Sequence, residues 1–203
     1  MTMIRELLKN SNISSPHLEI GTAAGATLAE LMTCYNDNNR PNFVVVDPFT
    51  YFENQLDAVR ENLSRFGIDH STVDFREGTS SEFYRLAVLN TETFGFIFID
   101  GNHKIKFVVQ DLCWTSLLED GGYVCLHDYS PLHPGVVLAV DRFLQKNQNY
   151  SMVSKYDSLI ILRKNRPSTQ PEIGVWDHLW AFLNSILLHW QNIFRKRFRK
   201  AGS

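Results

Sequence analysis

Two aspartates and two histidines stand where a cation or a proton can be handled. Asp100 closes the run FGFIFI, His127 and Asp128 close YVCL, and His103 follows Asp100 by three residues. Unbroken apolar runs of this kind mark strands buried on both faces of a parallel sheet. Neighbouring strands would set the two carboxylates on backbones about 5 Å apart. Two like charges so placed, away from water, are costly unless a divalent ion or a shared proton joins them. Carboxylate oxygens suit magnesium or calcium, and a contribution from His127 shifts the preference towards manganese, iron or zinc. Asp100, His127 and Asp128 are therefore the candidate metal ligands.

His103 falls where the next helix should begin, and the positive end of a helix favours the neutral imidazole, a proton acceptor. An aliphatic hydroxyl becomes a competent nucleophile when a metal acidifies it and a base takes its proton. Asp100, His103 and Asp128 form the candidate catalytic set for such a step. Plainer roles compete: Asn102 can cap the helix at Lys104 and leave His103 an ordinary first-turn residue. His127 can equally satisfy a carbonyl at the strand end.

A second cluster lies in LEIGTAAGAT, residues 18–27. Gly21 and Gly25 bracket small residues, so a ligand can approach the backbone closely before a helix starts. That helix N-terminus would face an electron-rich group. Asp47, ending the run FVVV, is placed to accept hydrogen bonds from ribose hydroxyls. Ligands in open parallel sheets sit beyond the carboxyl ends of the strands, where all these residues fall. Together they point to a nucleoside-type ligand, although each alone fits a tight turn and a solvated acid. Dinucleotide sites want G-x-G-x-x-G, and Ala23 occupies the middle glycine position, which disfavours an NAD(P)-dependent oxidoreductase. The turn Glu77-Gly78-Thr79-Ser80 should border the base. Phe49 either stacks on that base or packs beneath the second helix.

The elements that must position these residues alternate. Strands are expected at His17–Ile20, Phe43–Val46, Thr72–Arg76, Phe94–Ile99 and Gly122–Leu126. Helices are expected at Thr27–Tyr35, Phe52–Phe66, Ser81–Leu89 and Lys104–Leu118, the last ended by Glu119-Asp120-Gly121-Gly122. Such alternation predicts right-handed βαβ units in a doubly wound α/β sheet. A helix at Gly135–Lys146 is followed by a hairpin, Tyr150–Lys155 and Ser158–Arg163, so one edge strand should run antiparallel.

Glu19-x-Gly21-x-x-x-Gly25 resembles motif I of class I S-adenosylmethionine-dependent methyltransferases. Residues 94–129 resemble the small-molecule O-methyltransferase group that includes macrocin-type sugar O-methyltransferases and methyltransferase family 24. Members show I-D-G-x-H, an amphipathic helix, L-x-x-G-G, and a strand ending in an acidic pair or His-Asp. The resemblance covers residues 17–163, most of the chain. It implies a Rossmann-like seven-stranded sheet in the order 3-2-1-4-5-7-6 with an antiparallel last strand. It also implies S-adenosylmethionine bound by Glu19, Gly21, Gly25 and Asp47, with Phe49, Gly78, Thr79 and Asp100 around it. Asp100 and Asp128 would hold a divalent ion, magnesium or manganese, and His103 would be the base. The acceptor would be a hydroxyl on a sugar- or polyketide-like small molecule. The chain departs from the pattern at His127, where the macrocin-like enzymes carry a carboxylate, and at Thr79, where many relatives carry an acid. Asp100 serving the cofactor's methionine portion without a metal, and a binding module without turnover, are the competing expectations. Relatives also include cephalosporin-hydroxylase-like proteins, so another reaction on the same scaffold stays open.

The bulk properties agree with one enzyme-sized domain. The chain has 203 residues, 44% hydrophobic and 21% charged, and a formal net charge of -2, which argues against nucleic acid as a partner. Three cysteines without metal or disulfide spacing, and no signal-like N-terminus, predict a cytoplasmic protein. The organisation reads as a domain over residues 1–164, a linker over 165–173 and a helix over 174–203. In that helix Trp176, Leu179, Trp180, Leu183, Ile186, Leu187, Trp190, Ile193 and Phe194 recur at helical spacing opposite polar residues. Arg195, Lys196, Arg197, Arg199 and Lys200 follow. The stripe can pack on its own domain, pair with a second copy, or rest on a membrane whose anionic lipids meet the basic end. With few residues before the first strand, acceptor selectivity is expected from Ser130–Gly135, Thr91–Thr93 or this helix.

Overall fold

The computed structural model describes residues 2–11, 13–168 and 172–201, with the backbone alone over 191–201. Seven strands make one sheet: β1 (His17–Ile20), β2 (Phe43–Asp47), β3 (Val73–Glu77), β4 (Phe94–Ile99), β5 (Leu118–Leu126), β6 (Tyr150–Tyr156) and β7 (Leu159–Lys164). Their order is β3-β2-β1-β4-β5-β7-β6, as expected. β1 to β5 pair in parallel, and β7 pairs antiparallel with both β5 and β6. The antiparallel strand is therefore not the edge strand that the hairpin suggested. β7 lies inside the sheet, and β6 forms the edge.

Helices α1 (Thr2–Asn10), α2 (Ala26–Met32) and α3 (Gln55–Arg65) cover one face. Their Ile4, Leu8, Leu28, Val59 and Leu63 meet Phe43, Val45, Phe96, Phe98 and Cys125 from the strands. The opposite face carries α4 (Ser80–Leu89), α5 (Ile105–Asp111), α6 (Pro134–Lys146) and α7 (Val175–Ala201). There Ala87, Val108, Val140, Phe143 and Ala181 meet Leu18, Val44, Ile97, Ile99 and Val124. Alternate side chains of each strand thus feed two cores, the outcome of period-2 projection in a doubly wound fold.

Three local features depart from the sequence reading. The helix expected over Lys104–Leu118 ends at Asp111, and Leu112–Leu117 continue as 3-10 turns. β5 starts at Leu118, ahead of the glycine pair rather than after it. Gly121 takes φ +82° and the pairing skips from Phe94–Leu118 to Phe96–Tyr123, so Glu119–Gly122 bulge from the ladder. α1 was not anticipated; Ile4 and Leu8, one helical turn apart, anchor it fully buried.

α7 packs on α5 and α6 through a mixed side: Asp177 and Ala181 are buried, and Trp180, Asn184, Ser185 and Leu188 half-buried, with Trp180 and Leu188 against the core. Asp177 accepts from Arg142 at 2.8 Å, pairs with Lys146, and accepts from the Gly174 amide. Of the linker expected over 165–173, residues 169–171 lie outside the description. Glu172 is buried against Lys164 at 3.2 Å. The side chains of the basic end lie outside the described set.

Candidate active site

The turn after β1 is built around close approach. Gly21 takes φ +80°, and a β-carbon there would sit 2.6 Å from the Asp100 carbonyl oxygen and 2.7 Å from the Gly101 Cα. Only glycine lets the β1 and β4 ends lie so near each other. Ala23 is also left-handed, with φ 46°, and Gln55 and Asn62 of α3 hold the turn through the Ala23 and Ala24 carbonyls. Gly25, at φ +80°, then caps α2 with its backbone.

Glu19 projects from β1 below this turn and is 1% exposed. Neither of its carboxylate oxygens nor the Thr22 hydroxyl beside it has a hydrogen-bond partner. Burial pushes the Glu19 carboxyl up to about 8; the nearby Thr22 hydroxyl, though not in hydrogen-bonding geometry, opposes the rise, and the charges of Asp100 and Asp47 add to it. A buried acid left without a donor is expensive, so it fits a cationic or donor group of a ligand. Asp47, 7% exposed, accepts from the Thr22 amide at 2.9 Å, from the Phe49 amide at 2.6 Å and from Gln55. It thus ties the turns after β1 and β2 together, and a carboxylate has acceptor capacity beyond these three donors.

Phe49 is packed in the core cluster with its ring edge-on to Phe75, centroids 6.1 Å apart. Thr79 caps α4 in a reciprocal box with Glu82, and the Gly78 amide donates to the Asp47 carbonyl. The structure seats all three at the carboxyl edge of the sheet, with Phe49 among the buried residues of the core cluster.

Asp100, His103, His127 and Asp128 converge as the sequence suggested. The Asp100 amide bonds to Ile20 and the His127 amide to Ile99, which carries the ladder one residue past each strand. Asp128 then turns left-handed, φ 58°, a conformation aspartate tolerates better than most residues. Its carboxylate lies 2.6 Å from His103 Nε2 and 3.3 Å from His127 Nδ1. His127 Nδ1 is also 3.3 Å from Asp100 Oδ1. Ligating atoms of Asp100, His127 and Asp128 all fall within 4.8 Å of one another.

His103 Nε2 and His127 Nδ1 are closed to solvent, yet neither makes a hydrogen bond of acceptable geometry despite these short separations. Nitrogen and oxygen donors crowded this closely without well-formed hydrogen bonds between them are a set that a cation would join. The donor set of imidazoles and carboxylates fits a transition-type divalent ion. Burial raises the Asp100 carboxyl to about 6, with Asp128 adding to the rise and His127 opposing it. The His103 imidazole is held below its ordinary value, first by burial and then by His133 and His127, against the pull of Asp128. The neutral form is favoured as expected, but burial rather than a helix terminus is the main cause. Asn102 accepts from the Lys104 amide at 3.0 Å in a turn ahead of α5, whose N-cap Lys104 has no side-chain cap hydrogen bond, so the plainer capping role is not made.

His133 was missed. It precedes Pro134 at the start of α6, its ring stands 4.5 Å from that of His103, and its Nε2 lies 3.6 Å from Asp128 Oδ1. Gly135 puts it there: a β-carbon at that residue would meet the His103 carbonyl at 2.6 Å and the Ile105 amide at 2.7 Å. The run H-P-G before a helix was the available signal. His103, Asp128 and His133 form a second convergent trio within the same 4.8 Å limit.

A doubly wound sheet whose seventh strand is antiparallel, with a glycine turn after β1 and acids after β2, β4 and β5, is the class I methyltransferase architecture. Residues 18–129, more than half of the chain, match the family described as "Methyltransferase domain". The chain belongs to that methyltransferase family.

Solved structures of similar fold include the O-methyltransferase TomG of Streptomyces achromogenes, in complex with S-adenosylmethionine. It is 17% identical, with TM-score 0.63 over 81% of this chain and 78% of that one. An O-methyltransferase of Bacillus cereus with S-adenosylhomocysteine is 17% identical, TM-score 0.62, over 80% and 79%. The TDP-rhamnose 3'-O-methyltransferase of calicheamicin biosynthesis is 18% identical, TM-score 0.63, over 80% and 77%. None of the curated proteins compared matches the chain. Among the described residues no helix is long and apolar enough to cross a membrane.

Proposed function

We propose that this chain transfers a methyl group from S-adenosylmethionine to a hydroxyl of a small molecule, with a divalent ion held by Asp100, His127 and Asp128. The observation that carries the reading is the convergence of those three side chains and His103 beside the Gly21 turn. An O-methyltransferase of similar fold solved with S-adenosylmethionine, and a TDP-rhamnose 3'-O-methyltransferase of similar fold solved without ligand, support it.

Glu19, buried without a donor, would receive the ammonium of the cofactor's methionine portion, and the Gly21 turn would let that portion lie against the backbone. Asp47 would offer its remaining acceptor capacity to the ribose. S-adenosylmethionine, when bound, supplies an electrophilic methyl on sulfur. The ion, when bound, supplies a Lewis acid that lowers the pKa of the acceptor hydroxyl. His103 takes the hydroxyl proton at Nδ1, the ring nitrogen that Asp128 does not face, as the oxygen–methyl bond forms and the sulfur–methyl bond breaks. Asp128, 2.6 Å from Nε2, orients the ring and stabilises the imidazolium that results. Holding the acceptor oxygen in line with the sulfur–carbon bond provides much of the remaining acceleration.

Isothermal titration calorimetry with S-adenosylmethionine, with and without manganese and with NADH as control, tests the reading. Binding of S-adenosylmethionine that is lost in Glu19→Ala, and manganese binding that is lost in Asp100→Asn, are the expected results. An absence of S-adenosylmethionine binding under all conditions overturns the assignment. Manganese binding unaffected by Asp100→Asn removes the metal from it.

A further inference from the structure

α7 docks with the wrong face for a helix whose apolar side belongs to the core. Asp177 and Ala181 are buried, and Asn184 and Ser185 share their side, which meets α5 and α6. The attachment sets Ala181, Trp180 and Leu188 against the core and adds polar contacts: Asp177 with Arg142 and Lys146, and the Arg142 guanidinium over the Trp180 ring at 4.5 Å. On the opposite side of the cylinder Trp176, Leu179, Phe182, Leu183, Ile186 and Leu187 are between 42% and 75% exposed. A row of large apolar side chains over three helical turns is more than scattered surface hydrophobicity and marks an interaction site.

We infer that α7 is a lipid-docking helix that seats this apolar row in the interface of an anionic membrane while the rest of the domain stays in water. Charge selects the occupant. Arg195, Lys196, Arg197, Arg199 and Lys200 follow the row within the same helix, and Asp177 is the one acid in α7. An anionic bilayer meets both features at once, since its headgroups take the cations and its acyl boundary takes the row. A second copy of the chain offers no such match. Parallel pairing of two α7 helices would bring the two basic ends together. Antiparallel pairing would set each basic end against a helix start whose lone acid is buried and already ion-paired. α7 would lie in the plane of the surface, because its attachment to α5 and α6 runs along one side. The row is not needed to hold the fold, so it is free to be altered.

Co-sedimentation of the full chain with vesicles of phosphatidylcholine alone, and of phosphatidylcholine with phosphatidylglycerol, is the test. The protein is expected to pellet with the anionic vesicles and to stay in solution with the neutral ones. Leu183→Asp with Leu187→Asp, and separately Arg195→Glu with Arg199→Glu, should each lower the partition about tenfold or more. Circular dichroism and S-adenosylmethionine affinity of both pairs should match the parent, which excludes misfolding as the cause. Failure of the parent to pellet with anionic vesicles overturns the inference. So does sedimentation by the paired variants equal to the parent's. A dimer in analytical ultracentrifugation that Leu183→Asp with Leu187→Asp converts to monomer, with lipid partition unchanged, assigns the row to a second copy instead.

Discussion

Gly21→Ala is the sharpest perturbation of the site short of removing a polar group. The added methyl carbon would stand 2.6 Å from the Asp100 carbonyl oxygen and 2.7 Å from the Gly101 Cα. Both are backbone atoms of the turn that presents Asp100, so no side-chain rotation relieves the overlap. Holding a non-glycine residue at φ +80° costs about 1–2 kcal/mol, and forcing a packed contact apart typically costs a further ~1–3 kcal/mol. A total near 3 kcal/mol in a chain of this size lowers the melting temperature by roughly 6–12 °C. The displaced Asp100 should also weaken manganese binding, although no ligand has been substituted. Gly25→Ala is the matched control. It shares φ +80°, but its β-carbon meets first the Val59 side chain, at 2.9 Å, which leaves Asp100 untouched. Differential scanning calorimetry and manganese titration of the two variants separate the effects. Equal melting temperatures for Gly21→Ala and the parent, or manganese affinity lowered alike in both variants, would refute the reasoning.

His17 is buried among Tyr35, Phe43 and Phe96, and burial depresses its imidazole to about 4 from an ordinary 6.5. Its folded value lies below the unfolded one, so its contribution is complete above pH 6.5 and fades as the pH falls towards 4. The loss by pH 5 is about 2 kcal/mol, readable as a lower urea midpoint, and His17→Phe should flatten that part of the profile. Ala23→Gly relieves the left-handed strain at φ 46° and should raise stability by ~1 kcal/mol; a lower melting temperature would count against the strained turn. Gly135→Ala pushes α6 off the His103 carbonyl and separates His133 from His103, so methyl transfer should fall about tenfold or more while S-adenosylmethionine affinity holds. Asp100 takes a proton at about 6, and manganese affinity measured by calorimetry should therefore decline as the pH drops from 7 to 5; a flat profile would exclude Asp100 as a ligand.

The strands that line the site were readable because two-sided burial leaves little freedom. HLEI and FGFIFI appear as strands with the same ends in chain and structure, and their following residues carry Gly21 and Asp100. The helix expected to Leu118 failed for a physical reason. Leu112, Trp114 and Thr115 bury as well on 3-10 turns as on an α-helix, so apolar spacing cannot mark the change. The position of β7 was invisible in the hairpin, since a hairpin specifies pairing between its own strands and not which of them meets β5. In α7 the period revealed two faces but not which one docks. That choice rests on Asp177 finding Arg142 and Lys146, a contact between residues more than thirty positions apart. His133 left only the faint signal of H-P-G, because it reaches His103 through the space that Gly135 leaves.

The interior position of β7 sets an order of events during synthesis. β5, whose end carries His127 and Asp128, has an unpaired flank until Leu159–Lys164 has left the ribosome, because β6 cannot occupy the place beside it. Asp100, His127 and Asp128 have by then all been made, the last two at the end of a strand whose apolar ladder is open to any other extended chain. A nascent chain halted near residue 157 should therefore aggregate or recruit chaperones, whereas release after Lys164 closes the sheet. The end of the sheet that carries the candidate site is completed by a strand that contributes none of the clustered side chains.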